Sequence, residues 1–94
     1  MHVAALELDL HLPGCHSLKE KRAVVKTILH GVQNRFGVAA AEVAHQDKWQ
    51  RASLGFATVS SRAGHADDVL HKVERFVLSF PEVELIEALW GIDG

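Results

Sequence analysis

Apolar and polar side chains alternate most clearly over Val3–Leu12, with leucines at the even positions from 6 to 12. This period of two predicts a strand that buries one of its faces. The Pro13–Gly14 pair ends the alternation, and Ser17 then stands three residues before Glu20, the spacing of a helix capping box. Because apolar residues recur at helical spacing from there to Phe36, the sequence predicts a long amphipathic helix after the strand.

The second half of the chain predicts a hairpin, a helix and a last strand. Residues 38–45 and 52–60 are β-compatible stretches joined by a polar turn, which is typical of an antiparallel pair. A second apolar stripe predicts a helix over residues 64–79, which Pro81 ends. Alternation over residues 83–92 predicts a fourth strand.

The predicted order of elements, β-α-β-β-α-β, is typical of two interleaved βαβ units in one α+β domain over residues 1–94. Right-handed crossovers place the first and third strands side by side at the centre of a four-stranded antiparallel sheet, in the order 4-1-3-2. Both helices then cover the same face of the sheet, and the other face stays open.

The open face is predicted to be too apolar to remain wholly exposed to water. On the fourth strand the alternation directs Leu85 and Leu89 toward the helices and leaves Ile86, Ala88 and Trp90 on the open face. An uncovered apolar face usually marks an interaction surface, and two-fold dimers are the commonest closed assembly. We therefore expect a homo-oligomer, most simply a dimer, through Val43, Ala57, Val59, Ile86, Ala88 and Trp90. The alternative is that small apolar residues are merely tolerated on an exposed face.

The composition is that of an ordinary globular domain, with 48% hydrophobic and 23% charged residues. The single cysteine, Cys15, excludes an internal disulfide and fits a reducing compartment. Acidic residues interrupt the apolar N-terminal stretch, so no signal peptide is predicted, and no apolar stretch is long enough to cross a bilayer. These features predict a cytoplasmic protein without membrane contact.

The net charge of −2 hides an uneven distribution along the chain. Residues 16–51 hold seven basic and three acidic side chains, a net charge of +4, whereas the rest of the chain is acidic. Lysine and arginine neutralise phosphates, and an indole stacks on an unpaired base. We expect an RNA or ribosomal partner, and no DNA, to contact Lys19, Lys21, Arg22, Lys26, Lys48, Trp49 and Arg51. The alternative is a solvated helix face with a tryptophan packed at the rim of a core or an interface.

The sequence shows no residue spacing typical of a catalytic or metal site. The seven histidines are scattered, and neither a Cys-x-x-Cys nor a His-x-x-x-His pair is present. Ser17 is better explained as a helix cap than as a nucleophile beside Cys15 and His16. The glycines form no phosphate-binding loop. We therefore predict no catalytic residue, no metal site and no cofactor.

Five short motifs follow one another along the chain: Leu12–Pro13, Ser17–Arg22, Ala41–Val43, Asp47 and Trp49–Gly55. In this order they resemble the YlxP-like family of small bacterial proteins of unknown function, and the resemblance covers nearly the whole chain. It implies a ferredoxin-like fold and a bacterial, cytosolic protein. The genes of that family often lie among those for translation and ribosome-maturation factors, which implies an RNA-linked or ribosome-linked role. The family has no established catalytic residues to transfer to this chain.

Three hypotheses about function follow, in order of preference. The first is a non-catalytic binding protein, oligomeric through its sheet, that contacts RNA or a ribosomal assembly through the start of the first helix and the hairpin. The second is a homo-oligomeric adaptor that binds protein partners through its acidic and basic faces. The third is a small enzyme, which would need a deep pocket with convergent polar groups.

Overall fold

Six elements follow one another in the computed structural model, which describes residues 1–91 of the chain. They are β1 (His2–His11), α1 (Leu18–Phe36), β2 (Ala39–Ala44), β3 (Arg51–Ser60), α2 (His65–Leu78) and β4 (Glu84–Gly91). The predicted α+β class and element order are confirmed, and the fold is ferredoxin-like. The predicted end of the fourth strand at Ile92 lies outside the described residues.

The four strands form one antiparallel sheet in the order β2-β3-β1-β4, which is the predicted order read from the other edge. β1 and β3 pair along their whole lengths, from His2 opposite Ser60 to His11 opposite Arg51. These two strands therefore form the centre of the sheet, and β2 and β4 form its edges.

Helix α1 begins and ends at the residues that the sequence marks. The Ser17 hydroxyl accepts a hydrogen bond from the Glu20 backbone N–H at 3.1 Å. The Glu20 carboxylate accepts from the His16 N–H at 2.8 Å, one residue earlier than in a standard capping box. At the other end Gly37 has φ 64°, and its N–H bonds to the Gln33 carbonyl. This left-handed conformation explains the glycine.

The core lies between the two helices and one face of the sheet. It contains the predicted apolar stripes of both helices and every second residue of β1. Its fully buried members include Leu8, Leu12, Ile28, Val32, Leu54, Leu70, Val73 and Val77. The prediction that both helices pack on one sheet face is therefore confirmed.

A bulge in β4 corrects the predicted faces of that strand. The pairing with β1 shifts register between Asp9 and Leu10, so that Ala88 lies opposite Leu8 on the helix-covered face. Trp90 lies on that face too, and its ring packs against the His71 ring of α2 with 4.4 Å between centroids and a tilt of 35° between the ring planes. The prediction that Ala88 and Trp90 belong to the open face is wrong, because the extra residue of the bulge reverses the alternation after it.

Candidate functional site

The hairpin loop between β2 and β3 is fixed to the start of α1 by Lys21. The Lys21 side chain is completely buried, and its ammonium donates to Glu42 Oε2 at 2.6 Å. It also donates to the backbone carbonyls of His45 at 2.9 Å and Gln46 at 3.2 Å. The prediction that Lys21 contacts RNA is therefore wrong, because this ammonium is enclosed by protein oxygens and faces no solvent.

The other end of the same loop is fixed to the segment between β1 and α1. The Gln50 side-chain amide donates to the Pro13 carbonyl at 3.2 Å and to the Cys15 carbonyl at 3.0 Å. The Leu12 N–H donates to the Gln50 carbonyl at 2.9 Å. Together with the Lys21 contacts, these bonds hold residues 45–50 in one position relative to the first helix.

The loop presents Trp49 and Lys48 to solvent, and 56% of the Trp49 residue surface is exposed. On α1 the side chains of Lys19, Arg22 and Lys26 are exposed as well. Their spacing of three and four residues places them on one outward stripe of the helix. The structure thus leaves five of the predicted RNA contacts accessible, in a loop and a helix that it holds together.

Arg51 lies apart from these residues, on the open face of the sheet. Its guanidinium makes a bidentate pair with Asp9, with Nε to Oδ1 at 3.1 Å and Nη2 to Oδ2 at 2.6 Å. The hydrogen bond from Arg51 lowers the pKa of the Asp9 carboxyl below its usual value. Since the guanidinium already binds a carboxylate, Arg51 does not extend the exposed basic stripe of α1.

The open face contains a groove of about 520 Å³ that is lined by residues of all four strands. Its floor is made of small residues, among them Ala5, Gly55 and Ala57. A second register shift, near the end of β2, places Val43 over Gly55 on one side of the groove. Leu89 lies on the opposite side, because the β4 bulge turns it to the open face.

The six residues of the predicted oligomer interface therefore do not lie on one face of the sheet. Val43 and Ala57 line the groove, and Val59 is exposed farther along β3. Ile86 lies at the β4 bulge on the edge of the sheet and is half exposed. Ala88 and Trp90 lie on the helix-covered face instead. Leu89, which strict alternation places on the helix-covered face, lies in the groove on the open face.

One acidic side chain, Glu7, lines the groove, and others follow it along β1 and β4 on the same face. Among residues 1–91, Glu7, Asp9, Glu84 and Glu87 lie on the open face with Arg51 as its basic residue, which gives these residues a net charge of −3 with histidines neutral. His11 Nδ1 lies 3.2 Å from Glu84 Oε1. Within residues 1–91, neither Glu7 nor Glu87 forms an ion pair.

The chemistry-bearing side chains of the described part of the chain do not converge. Among residues 1–91 no group of three or more histidine, cysteine, aspartate or glutamate side chains is arranged to hold a metal ion. Cys15 is buried, and burial raises the pKa of its thiol above the usual 9.0. Neither of the two described helices is long and apolar enough to cross a membrane.

Comparison with known proteins gives the family of the chain. A family model described as "Protein of unknown function (DUF503)" matches residues 3–90. The curated relative "Uncharacterized protein YlxP" of Bacillus subtilis (strain 168) is 53% identical over 68 residues, which cover 72% of this chain and 74% of the relative. Both matches agree with the resemblance carried by the sequence motifs. The chain belongs to the DUF503 family of proteins of unknown function, and YlxP is one of its relatives.

Proposed function

We propose that this protein binds single-stranded RNA through Trp49 and the exposed basic side chains beside it. The observation that supports this is the exposed indole of Trp49 on a loop that is anchored at both ends. An apolar ring of this size gains nothing from contact with water, whereas stacking on a base contributes about 1–3 kcal/mol.

The anchoring of the loop favours binding because the indole is positioned before any ligand arrives. Lys21 holds the start of the loop through two backbone carbonyls, and Gln50 holds its end. Binding then costs less conformational entropy than it would for a free loop, since the backbone is already ordered. The buried lysine therefore has an indirect role, as a positioning residue for Trp49.

The charges around Trp49 fit a phosphate backbone. Lys48 is adjacent in the chain, and Lys19, Arg22 and Lys26 form the exposed stripe on α1. Each lysine or arginine that neutralises a phosphate releases a counterion, which stabilises the complex at low salt. A single strand fits better than a duplex, because bases that are not paired can stack on an indole.

The test is fluorescence anisotropy with a labelled single-stranded RNA of about 20 nucleotides in mixed sequence, long enough for a typical single-strand site. Trp49→Ala should weaken binding by about tenfold, whereas Trp49→Phe should retain most of the affinity because it keeps a stacking ring. Lys48→Ala should weaken binding to all sequences alike and lower the salt dependence by about one unit of slope.

Lys72→Ala is the matched control, because Lys72 is an exposed lysine on α2, outside the proposed surface. It should leave the affinity unchanged. The proposal fails if the wild-type protein shows no RNA affinity at low salt, or if Trp49→Ala and Lys72→Ala have equal effects.

A further inference from the structure

We infer that the groove on the open sheet face binds an amphipathic, positively charged helix of a protein partner. This goes beyond RNA binding, because the groove lies on the sheet face that α1 and α2 leave uncovered, away from the basic stripe of α1. The occupant follows from the shape of the groove and from its charge.

The shape of the groove matches a helix. Its sides are Val43 near one sheet edge and Leu89 near the other, and its floor between them contains Ala5, Gly55 and Ala57 together with one acidic residue, Glu7. The two edge strands are separated by three strand spacings, about 14 Å in all. A helix with its side chains is about 10–12 Å across, which is comparable to this backbone separation, so one helix is wide enough to cover the face and to place apolar residues on its small residues.

The acidic side chains in and beside the groove favour a helix that carries basic residues. Glu7 lies in the lining of the groove between Gly55 and Leu89, its partners on the neighbouring strands. Glu87 lies opposite Asp9 on the same face. Neither glutamate has an ion-pair partner within residues 1–91. A helix that places lysine or arginine beside its apolar stripe pairs with these two carboxylates.

A second copy of this chain is a poorer occupant for the same groove. Two copies packed face to face would bring two surfaces of net charge −3 together, and like charges across an interface are costly. Their concave, small-residue floors would also face each other and leave unfilled space. Addition of a strand at an edge is disfavoured too, because both edge strands contain a register shift that disrupts regular pairing.

The experiment uses a labelled synthetic peptide of leucine and lysine, about 18 residues long and patterned as an amphipathic helix of five turns. Its counterpart has glutamate in place of every lysine. Binding is measured by fluorescence anisotropy with the full chain at moderate salt, and amide chemical shifts locate the bound peptide. We expect the lysine peptide to bind and to shift amides of β1, β3 and β4, and the glutamate peptide not to bind.

Two variants test the charge and the shape separately. Glu7→Lys reverses the charge in the groove, and Ala41→Trp fills the groove from an exposed position opposite Gly55. Each should weaken binding of the lysine peptide by about tenfold or more. Glu82→Lys and Ala63→Trp are the matched controls, because both residues are exposed and lie outside the groove. Both controls should bind the peptide as the wild type does.

Several outcomes would overturn the inference. These are no binding of the lysine peptide, equal binding of the glutamate peptide, an equal loss with Glu82→Lys, or amide shifts confined to α1 and the hairpin loop. A wild-type dimer in analytical ultracentrifugation that Ala41→Trp dissociates would assign the groove to a second copy instead. RNA affinity measured on Glu7→Lys and Ala41→Trp keeps the two proposals separate, since neither residue belongs to the RNA surface.

Discussion

Lys21 Nζ lies 2.6 Å from Glu42 Oε2, and this buried contact joins the first helix to the second strand. Removal of the ammonium leaves the carboxylate of Glu42 and two loop carbonyls without their donor. We therefore expect Lys21→Ala to lower the free energy of unfolding by about 3 kcal/mol. Urea denaturation followed by circular dichroism measures this change.

The matched control for that variant is Lys26→Ala, an exposed lysine of the same helix. It should change the free energy of unfolding by no more than about 0.5 kcal/mol. The double variant Lys21→Met with Glu42→Leu should be less damaging than Lys21→Ala, because it leaves no unpaired carboxylate, and the loss that remains is that of the two loop carbonyls. A Lys21→Ala protein as stable as Lys26→Ala would show that the buried contact does not stabilise the fold.

The ion pair between Asp9 and Arg51 predicts a loss of stability in acid. Pairing lowers the pKa of Asp9 in the folded state below the value of 3.8 that it has when unpaired. The unfolded chain therefore binds the proton more readily, and the pair contributes fully to stability above about pH 4. That contribution is lost as the pH falls through the folded-state pKa.

Arg51→Met removes the cause of this shift. Its free energy of unfolding should be lower than that of the wild type at pH 7, and the difference between the two should shrink as the pH falls below about 4. Arg62→Met, which removes an exposed arginine elsewhere, controls for the change in net charge. Urea unfolding at several pH values gives the difference, and a gap that stays constant at every pH would contradict the assignment.

The burial of Cys15 predicts a thiol of low reactivity. Burial raises its pKa, and the nearby Glu20 carboxylate acts in the same direction. Because the thiolate is the reactive form, the native protein should react slowly with a disulfide reagent at neutral pH, and faster as the pH rises. The same reaction in urea should be rapid. Rapid reaction of the native protein at pH 7 would show that the thiol is accessible and ionised.

Sequence patterns predicted the fold because its main determinants are local. The alternation of β1, the serine cap of α1 and the two apolar helix stripes each specify an element without reference to distant residues. The bulge in β4 could not be predicted in this way. It depends on how that strand pairs with β1, and one extra residue reverses the face of every residue after it.

The burial of Lys21 could have been predicted from the sequence. Lys21 precedes Val25, Ile28 and Val32 by four, seven and eleven residues, which is the spacing of the buried stripe of α1. A lysine at such a position indicates a buried ammonium with oxygen partners. The oxygens that surround the ammonium belong to β2 and the hairpin loop, which are distant from Lys21 in sequence. A helical pattern carries no information about such contacts.

Gly55 and Val43 provide a direct test of the groove floor. A Cβ on Gly55 would lie only 2.9 Å from Val43 Cγ1, so an alanine there requires the valine to move. Valine has few accessible rotamers, and we expect Gly55→Ala to destabilise the protein by about 1 kcal/mol. Val43→Ala alone should have a small effect, because Val43 is half exposed.

The double variant distinguishes this clash from a loss of stability that alanine at position 55 would cause independently of Val43. If the Val43 methyl groups cause the loss, Gly55→Ala in the Val43→Ala background should cost almost nothing, and alanine's smaller unfolded-state entropy favours it there. The coupling energy between the two sites should then be about 1 kcal/mol, as is usual for residues in contact. Thermal and urea unfolding of the four proteins gives this energy. Additive effects would show that the β2 bulge does not hold Val43 over Gly55, and the groove would lose the side that Val43 forms.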